Sequence, residues 1–311
     1  MNGIARASRG VGALAAALLL ASCGGGSSEV FNATRVIAFG DELSVINADG
    51  SKYGVNALAT DSATTLDCAL NPIWIQEVAS SYGLAFPECP GTAVDPVGRI
   101  RAANGATVAD LAGQIDQQIA DGGIVAGDLV TVLVGANDVV AQFQQYPGVG
   151  EAQITANLDA AGTELAAQVN RLAALGAKVL IATIPRMGLT PFAGDRSTGS
   201  TDPNPALLTR LSTRFNDSLL LHLENDGRKI GLVQLEEYLL ASDSAALAKV
   251  GVYSNSTLPA CTVALPGCTS ATLVADAITG VFVWADDRHF GPTVQINLGT
   301  LAISRSRNNP F

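Results

Sequence analysis

Apolar residues recur along this chain in two alternating patterns. Short, nearly unbroken apolar runs, most of them stopped by glycine or proline, stand at Arg35–Phe39 before Gly40, Leu129–Val134 before Gly135, Lys178–Ile184 before Pro185 and, more weakly, Lys229–Val233. Runs of this kind suit strands buried on both faces of a parallel sheet. Between them the apolar spacing changes to three and four. Ile154, Leu158, Ala161, Leu165, Val169, Leu172 and Leu175 line one face of a helix over 151–176, with Gly176 as its stop. Leu208, Leu211, Phe215, Leu219 and Leu223 do the same over 205–227, closed by Gly227, and a last helical pattern begins at Pro292. Strands separated by single helices imply right-handed crossovers. The expected fold class is α/β, a three-layer α/β/α sandwich around a central parallel sheet.

Residues 35–311 read as a single domain, with two domains parted near residue 200 as the alternative. Two stretches, 48–98 and 241–280, break the rhythm and read as loop-like insertions. The first residues read as an address rather than as structure. Arg6 and Arg9 precede an apolar run from Val11 to Ala21, which at about 1.5 Å per residue is too short for a bilayer core of about 30 Å. The run ends in Leu20-Ala21-Ser22-Cys23, which resembles a bacterial lipobox. That resemblance implies a signal peptide over 1–22, a lipidated Cys23 and a flexible tether over 23–34. Position 24 is Gly, not the aspartate that retains such lipoproteins in the inner membrane, so the expected location is the outer membrane of a bacterial envelope.

Composition narrows the function classes. Of 311 residues 48% are hydrophobic and 15% charged, which excludes a mainly disordered chain. The formal charge is −10, so the chain repels phosphate backbones and nucleic acid is not an expected partner. With only His222 and His289, a histidine-rich metal site has little to build on, and no metal or cofactor is expected. Once Cys23 is set aside, Cys68, Cys89, Cys261 and Cys268 remain, an even number in an exported chain. Three pairings are possible. The local one, Cys68–Cys89 with Cys261–Cys268, needs least chain closure and staples one insertion each.

Candidate chemistry lies where strands end and helices begin. Phe39-Gly40-Asp41-Glu42-Leu43-Ser44 follows the first strand, Gly135-Ala136-Asn137-Asp138 follows the second, and Asp286-Asp287-Arg288-His289 precedes the last helical pattern. With Asn104-Gly105-Ala106-Thr107 between the first two, these segments resemble, in order, the blocks of the GDSL or SGNH hydrolases, a family of esterases and lipases. The stretch Ile184–Pro191 looks like that family's connection after its fourth strand. The resemblance implies acyl transfer on small-molecule or lipid esters. His289 would be the base, Asp286 the group that orients it, and the Gly105 N–H and the Asn137 side chain the oxyanion donors. Asp138 is expected to cap or orient the Asn137 loop, and Asp287 to be a solvated neighbour.

The chain departs from that pattern at the nucleophile, where Glu42 stands in place of serine. A carboxylate there should also turn His289 into an imidazolium between two acids, which is no general base. Three readings follow: a site silenced by Glu42 in a lipoprotein that keeps its pocket for a ligand, a nucleophile moved to Ser44, or Glu42 itself acting as base or nucleophile. His222, Trp74 and Trp284 read as structural residues.

Overall fold

The computed structural model describes residues 31–195, 204–224, 227–243, 253–275, 277 and 282–308. The expected signal peptide, Cys23 and part of the second insertion lie outside the described residues. Five strands form one parallel sheet in the order β2-β1-β3-β4-β5. They are β1 (Arg35–Gly40), β2 (Arg99–Ile100), β3 (Asp128–Leu133), β4 (Lys178–Ala182) and β5 (Ile230–Val233). The register runs from Arg35 opposite Asp128 to Gly40 opposite Leu133, and from Val179 opposite Ile230 to Ala182 opposite Val233. Nearly every residue of β1, β3 and β4 is buried, as unbroken apolar runs require of strands covered on both faces. At the opening edge, Arg35 grips the buried Asp128 with two hydrogen bonds of 2.8 and 2.7 Å.

Helices cover both faces. On one side lie α2 (Val108–Gly122), α3 (Ala136–Phe143), α4 (Glu151–Ala174) and α6 (Asn204–His222), with α4 packed between α2 and α6. On the other, α1 (Trp74–Ser81) packs against α8 (Pro292–Asn308). Two short helices, α5 (Pro191–Asp195) and α7 (Leu235–Asp243), follow β4 and β5. The 151–176 pattern forms as expected, and Gly176 follows the helix with a positive φ of 108°. The 205–227 pattern stops sooner: α6 ends at His222, so Gly227 does not cap it. Of the stretch expected as a flexible tether, residues 31–34 are instead held against the domain: Phe31 packs on Tyr82, Ala33 is buried and the Thr34 N–H donates to the Gly127 carbonyl.

The first insertion is more than a loop. It contains α1, whose Trp74, Ile75 and Val78 are wholly buried in the main core. Eight residues give too little periodicity to stand out, and no Ser, Thr, Asp or Asn caps the helix; the Gln76 side chain accepts from the Ile73 N–H instead. The second insertion carries β6 (Asn255–Pro259) and β7 (Phe282–Trp284), paired in a small sheet over a satellite core of Val55, Ala260, Cys268, Phe282 and Ala285. Disulfides join Cys68 to Cys89 and Cys261 to Cys268, the local pairing.

Two buried polar side chains, four residues apart, knit the first insertion and join it to the second. The Lys52 ammonium donates to the carbonyls of Cys68, Leu70 and Asn71 at 2.8–3.0 Å. The Asn56 amide accepts from the Lys52 N–H and donates to the carbonyls of Pro266 and Cys268 in the other insertion. Burial pushes the Lys52 ammonium down to about 8, so it stays charged at neutral pH. Lys52→Met keeps the length of the stem but leaves three carbonyls without their donor. It is expected to cost at least about 2 kcal/mol, read as a lower midpoint of urea unfolding under non-reducing conditions; an unchanged midpoint would show the knot to be dispensable.

Candidate active site

The site forms at the carboxyl ends of the strands, and glycine makes its first turn possible. Gly40 closes β1 at φ +119°, and a Cβ there would stand 1.9 Å from the Leu133 carbonyl oxygen. Gln114, from the inner face of α2, holds this glycine on both sides: it accepts from the Gly40 N–H at 2.8 Å and donates to the Gly40 carbonyl at 2.9 Å. Asp41 then caps a single 3-10 turn, Glu42–Ser44, by accepting from the Leu43 N–H. The turn sends Glu42 and Ser44 different ways. Ser44 is fully buried and its hydroxyl accepts from the Trp74 indole N–H at 3.1 Å. The carboxylate at position 42, not this hydroxyl, meets His289.

A second glycine, Gly135 at φ +125°, lets the chain turn from β3 into α3, where a Cβ would fall 2.3 Å from the Phe215 ring. Asn137 follows in the first turn of α3, and Gly105 lies in the loop between β2 and α2. The last segment is fixed by Asp286, whose Oδ1 accepts from the backbone N–H groups of Arg288 and His289 at 3.0 and 2.8 Å. That tight turn brings the His289 Nδ1 to 2.8 Å from Asp286 Oδ2. Asp287 does not take that place: its carboxylate lies 3.9 Å from the Arg288 guanidinium, and its backbone carbonyl accepts from the Phe192 N–H.

All four segments converge on one side chain. Glu42 Oε1 lies 2.9 Å from His289 Nε2, while Oε2 accepts from the Gly105 N–H at 2.8 Å and from the Asn137 amide at 3.0 Å. Glu42 is 5% exposed and His289 6%. Burial alone would raise the Glu42 carboxyl, but the hydrogen bonds from His289, its own N–H and Gly105 outweigh it and hold the group at about 2. Burial would likewise lower the imidazole, but hydrogen bonds to Asp286 and Glu42 push it up to about 9. With a carboxylate at each ring nitrogen, His289 is an imidazolium that donates in both directions. Asp286 is held below its ordinary value by that same partner despite its burial. Asp41 goes the other way, driven well up by burial and by the charge of Glu42 beside it.

Other residues shape the centre without any local sequence signal for it. The half-buried Tyr53 sets its ring 6.2 Å from that of His289, at a tilt of 42°. Gln114 leaves a faint trace, a polar residue on the helix face shared by Leu111 and Ile115. Asp138 caps a neighbouring element: its Oδ2 accepts from the Val108 N–H that opens α2. Trp74 and Trp284 are buried in the core, and His222 is exposed on α6. Among the described residues, Asp286, Asp287 and His289 could offer ligand atoms to a metal ion within 4.8 Å of one another. His289 would have to give up the proton that its Nδ1 shares with Asp286.

The ion pair dictates a pH dependence. His289, raised from 6.5 to about 9, stabilises the fold fully below about 6.5, and that contribution is lost as pH rises through 9. Glu42, lowered from 4.5 to about 2, contributes above 4.5 and loses its effect as pH falls through 2. Stability to urea is therefore expected to decline between pH 6.5 and 9, and His289→Asn to abolish that slope. Proton NMR of the two histidines should find His289 titrating near 9, and at lower pH in Glu42→Gln.

The sequence matches the family of GDSL-like lipases and acylhydrolases over residues 36–294, more than four-fifths of the chain. No curated protein matches it in sequence. Among solved structures, a lipase from a goat rumen metagenome is similar at 11% identity with a TM-score of 0.51, covering 88% of this chain and 97% of that one. At this identity the likeness is one of fold. An extracellular lipase from Streptomyces rimosus (16% identity, TM-score 0.45, 88% and 100% covered) and a phospholipase A1 from Streptomyces albidoflavus NA297 (17%, 0.46, 88% and 99%) are also similar. The matched span takes in the turn after β1, both donor loops and the Asp286–His289 turn, and the chain belongs to the GDSL-like lipase/acylhydrolase family.

Proposed function

We propose that this protein is an ester-hydrolase scaffold of the GDSL type, for small-molecule or lipid esters, whose chemistry is held off by its own Glu42. In this reading it is an envelope lipoprotein anchored through Cys23. The observation that carries the proposal is the double engagement of one carboxylate, Oε1 on His289 and Oε2 on Gly105 and Asn137. Ester cleavage of this type needs a hydroxyl nucleophile, a neutral imidazole and free oxyanion donors. Glu42 removes all three at once. It supplies no hydroxyl, keeps His289 charged, and fills the place where a developing oxyanion would sit.

Turnover through Glu42 itself is the second reading, favoured by the intact Asp286–His289 pair. Against it stands the carboxyl at about 2, too weak a base to draw a proton from water efficiently. Attack on an ester would in addition give a reactive anhydride. A nucleophilic Ser44 has no support, because its hydroxyl accepts from Trp74 on the far side of the turn.

Glu42→Ser separates these readings. It removes the charge, frees His289 to become neutral and opens the donors. The variant is expected to hydrolyse a short activated ester at least about tenfold faster than wild type, roughly 1.4 kcal/mol of barrier. Adding His289→Ala should erase the gain. A wild type that is already fast, and is slowed by Glu42→Ser, would make Glu42 catalytic. Location has its own test: Cys23→Ser should move the protein from the membrane fraction to the soluble fraction, and continued membrane association would show that Cys23 is not the anchor.

A further inference from the structure

The two oxyanion-type donors come from loops 32 residues apart in sequence, yet they meet within hydrogen-bond distance of a single oxygen. Holding them there opposes both chain entropy and the mutual repulsion of two N–H dipoles aimed at one point. Asn137 supplies one tie itself, since its Nδ2 also donates to the Ala106 carbonyl at 3.1 Å. The other tie is Asp138. Its carboxylate accepts from the Val108 N–H at 3.0 Å, and Val108 is the first residue of α2, three after Gly105.

That carboxylate stands in acidic surroundings, facing Asp110 from the first turn of α2 and Asp41 from the turn after β1. Burial pushes it up to about 6, so it is ionised at neutral pH at some cost to the fold. Its bond goes to Val108 rather than to Glu42 or His289. A charge kept in so unfavourable a place, bonded to the first amide of α2 and to its own N–H, is suited to holding geometry rather than moving protons.

We infer that Asp138 is the positioning residue of this centre: by clamping the first amide of α2 to the start of α3, it keeps the Gly105 N–H and the Asn137 side chain on a common point. It acts through the backbone and does not touch substrate. The inference rests on reading Gly105 and Asn137 as oxyanion donors, where losing one donor costs about 100- to 1000-fold in rate.

Three substitutions test it. Asp138→Leu keeps the bulk and removes the acceptor, whereas Asp138→Asn keeps an oxygen that can still accept from Val108. Val108→Pro removes the donor instead. Proline suits the first position of a helix, and Thr107 before it is already extended at φ −109°, ψ 174°. In the otherwise wild-type protein, amide hydrogen exchange at Gly105 should quicken at least tenfold in Asp138→Leu and in Val108→Pro. It should recover to within threefold of wild type in Asp138→Asn. The double change should add little, as for two ends of one bond. In the Glu42→Ser background, Asp138→Leu should lower kcat at least tenfold while KM stays within threefold.

Unchanged Gly105 exchange in both Asp138→Leu and Val108→Pro, or fully additive effects, would overturn the clamp. Should Asp138→Leu fail to fold, Val108→Pro and Asp138→Asn decide by the same readout. If exchange responds but Glu42→Ser has no esterase activity to lose, the held-off hydrolase falls and the clamp stands.

Discussion

A single buried carboxylate ties together four segments that are far apart in sequence. Glu42 hangs from the end of β1, yet its two oxygens reach the histidine after β7, the loop before α2 and the first turn of α3. Such an arrangement survives burial only when each charge has its counter-charge and its remaining lone pairs are satisfied. Here the one imidazolium of His289 bonds both Glu42 and Asp286, and hydrogen bonds from backbone and amide N–H groups offset the charge it leaves over. In the proposed reading the contacts that hold the centre together are also those that keep ester cleavage off, because the groups it would use are already engaged.

The scaffold prepares this meeting before any side chain reaches it. Parallel strands end together on one edge, so the turns after β1 and β3 open side by side. Gly40 and Gly135 let the chain leave those strands where a side chain would collide with the Leu133 carbonyl or the Phe215 ring. Gln114 then pins the first turn to α2, and Trp74 anchors its far end to α1 through Ser44. Asn56 ties the two disulfide-bearing insertions to one another, Lys52 knits the first, and that insertion presents Tyr53 to the histidine. Nearly all of these supports are hydrogen bonds between distant parts of the chain.

Charge in this region is lopsided. Asp41, Glu42 and Asp286 stand near one imidazolium with Asp138 beyond Asp41, and burial raises Asp41 and Asp138 while His289 lowers Glu42 and Asp286. The carboxylates that touch the imidazolium stay ionised easily, and those that do not are penalised for their charge. Family membership sets the layout of the centre. Its chemistry is decided by which acid sits next to which base.

Several features were legible in the chain alone. Unbroken apolar runs marked four of the five strands of the main sheet, and three- and four-residue spacing marked the two longest helices, α4 and α6, because burial on two faces or on one stripe leaves a direct periodic trace. The order of Gly40-Asp41-Glu42-Leu43, Gly105, Gly135-Ala136-Asn137-Asp138 and Asp286–His289 marked the candidate centre, and a histidine between Glu42 and Asp286 already implied an imidazolium. The two-residue β2, the eight-residue α1 and the end of α6 were not legible, since short elements carry too few turns for a period and their ends are set by packing. Nor could the sequence tell that Glu42 sends its second oxygen to Gly105 and Asn137, that Ser44 turns towards Trp74, or that Asn56 joins the two insertions. Those are contacts between residues tens to hundreds of positions apart, and local pattern holds no record of distance in space.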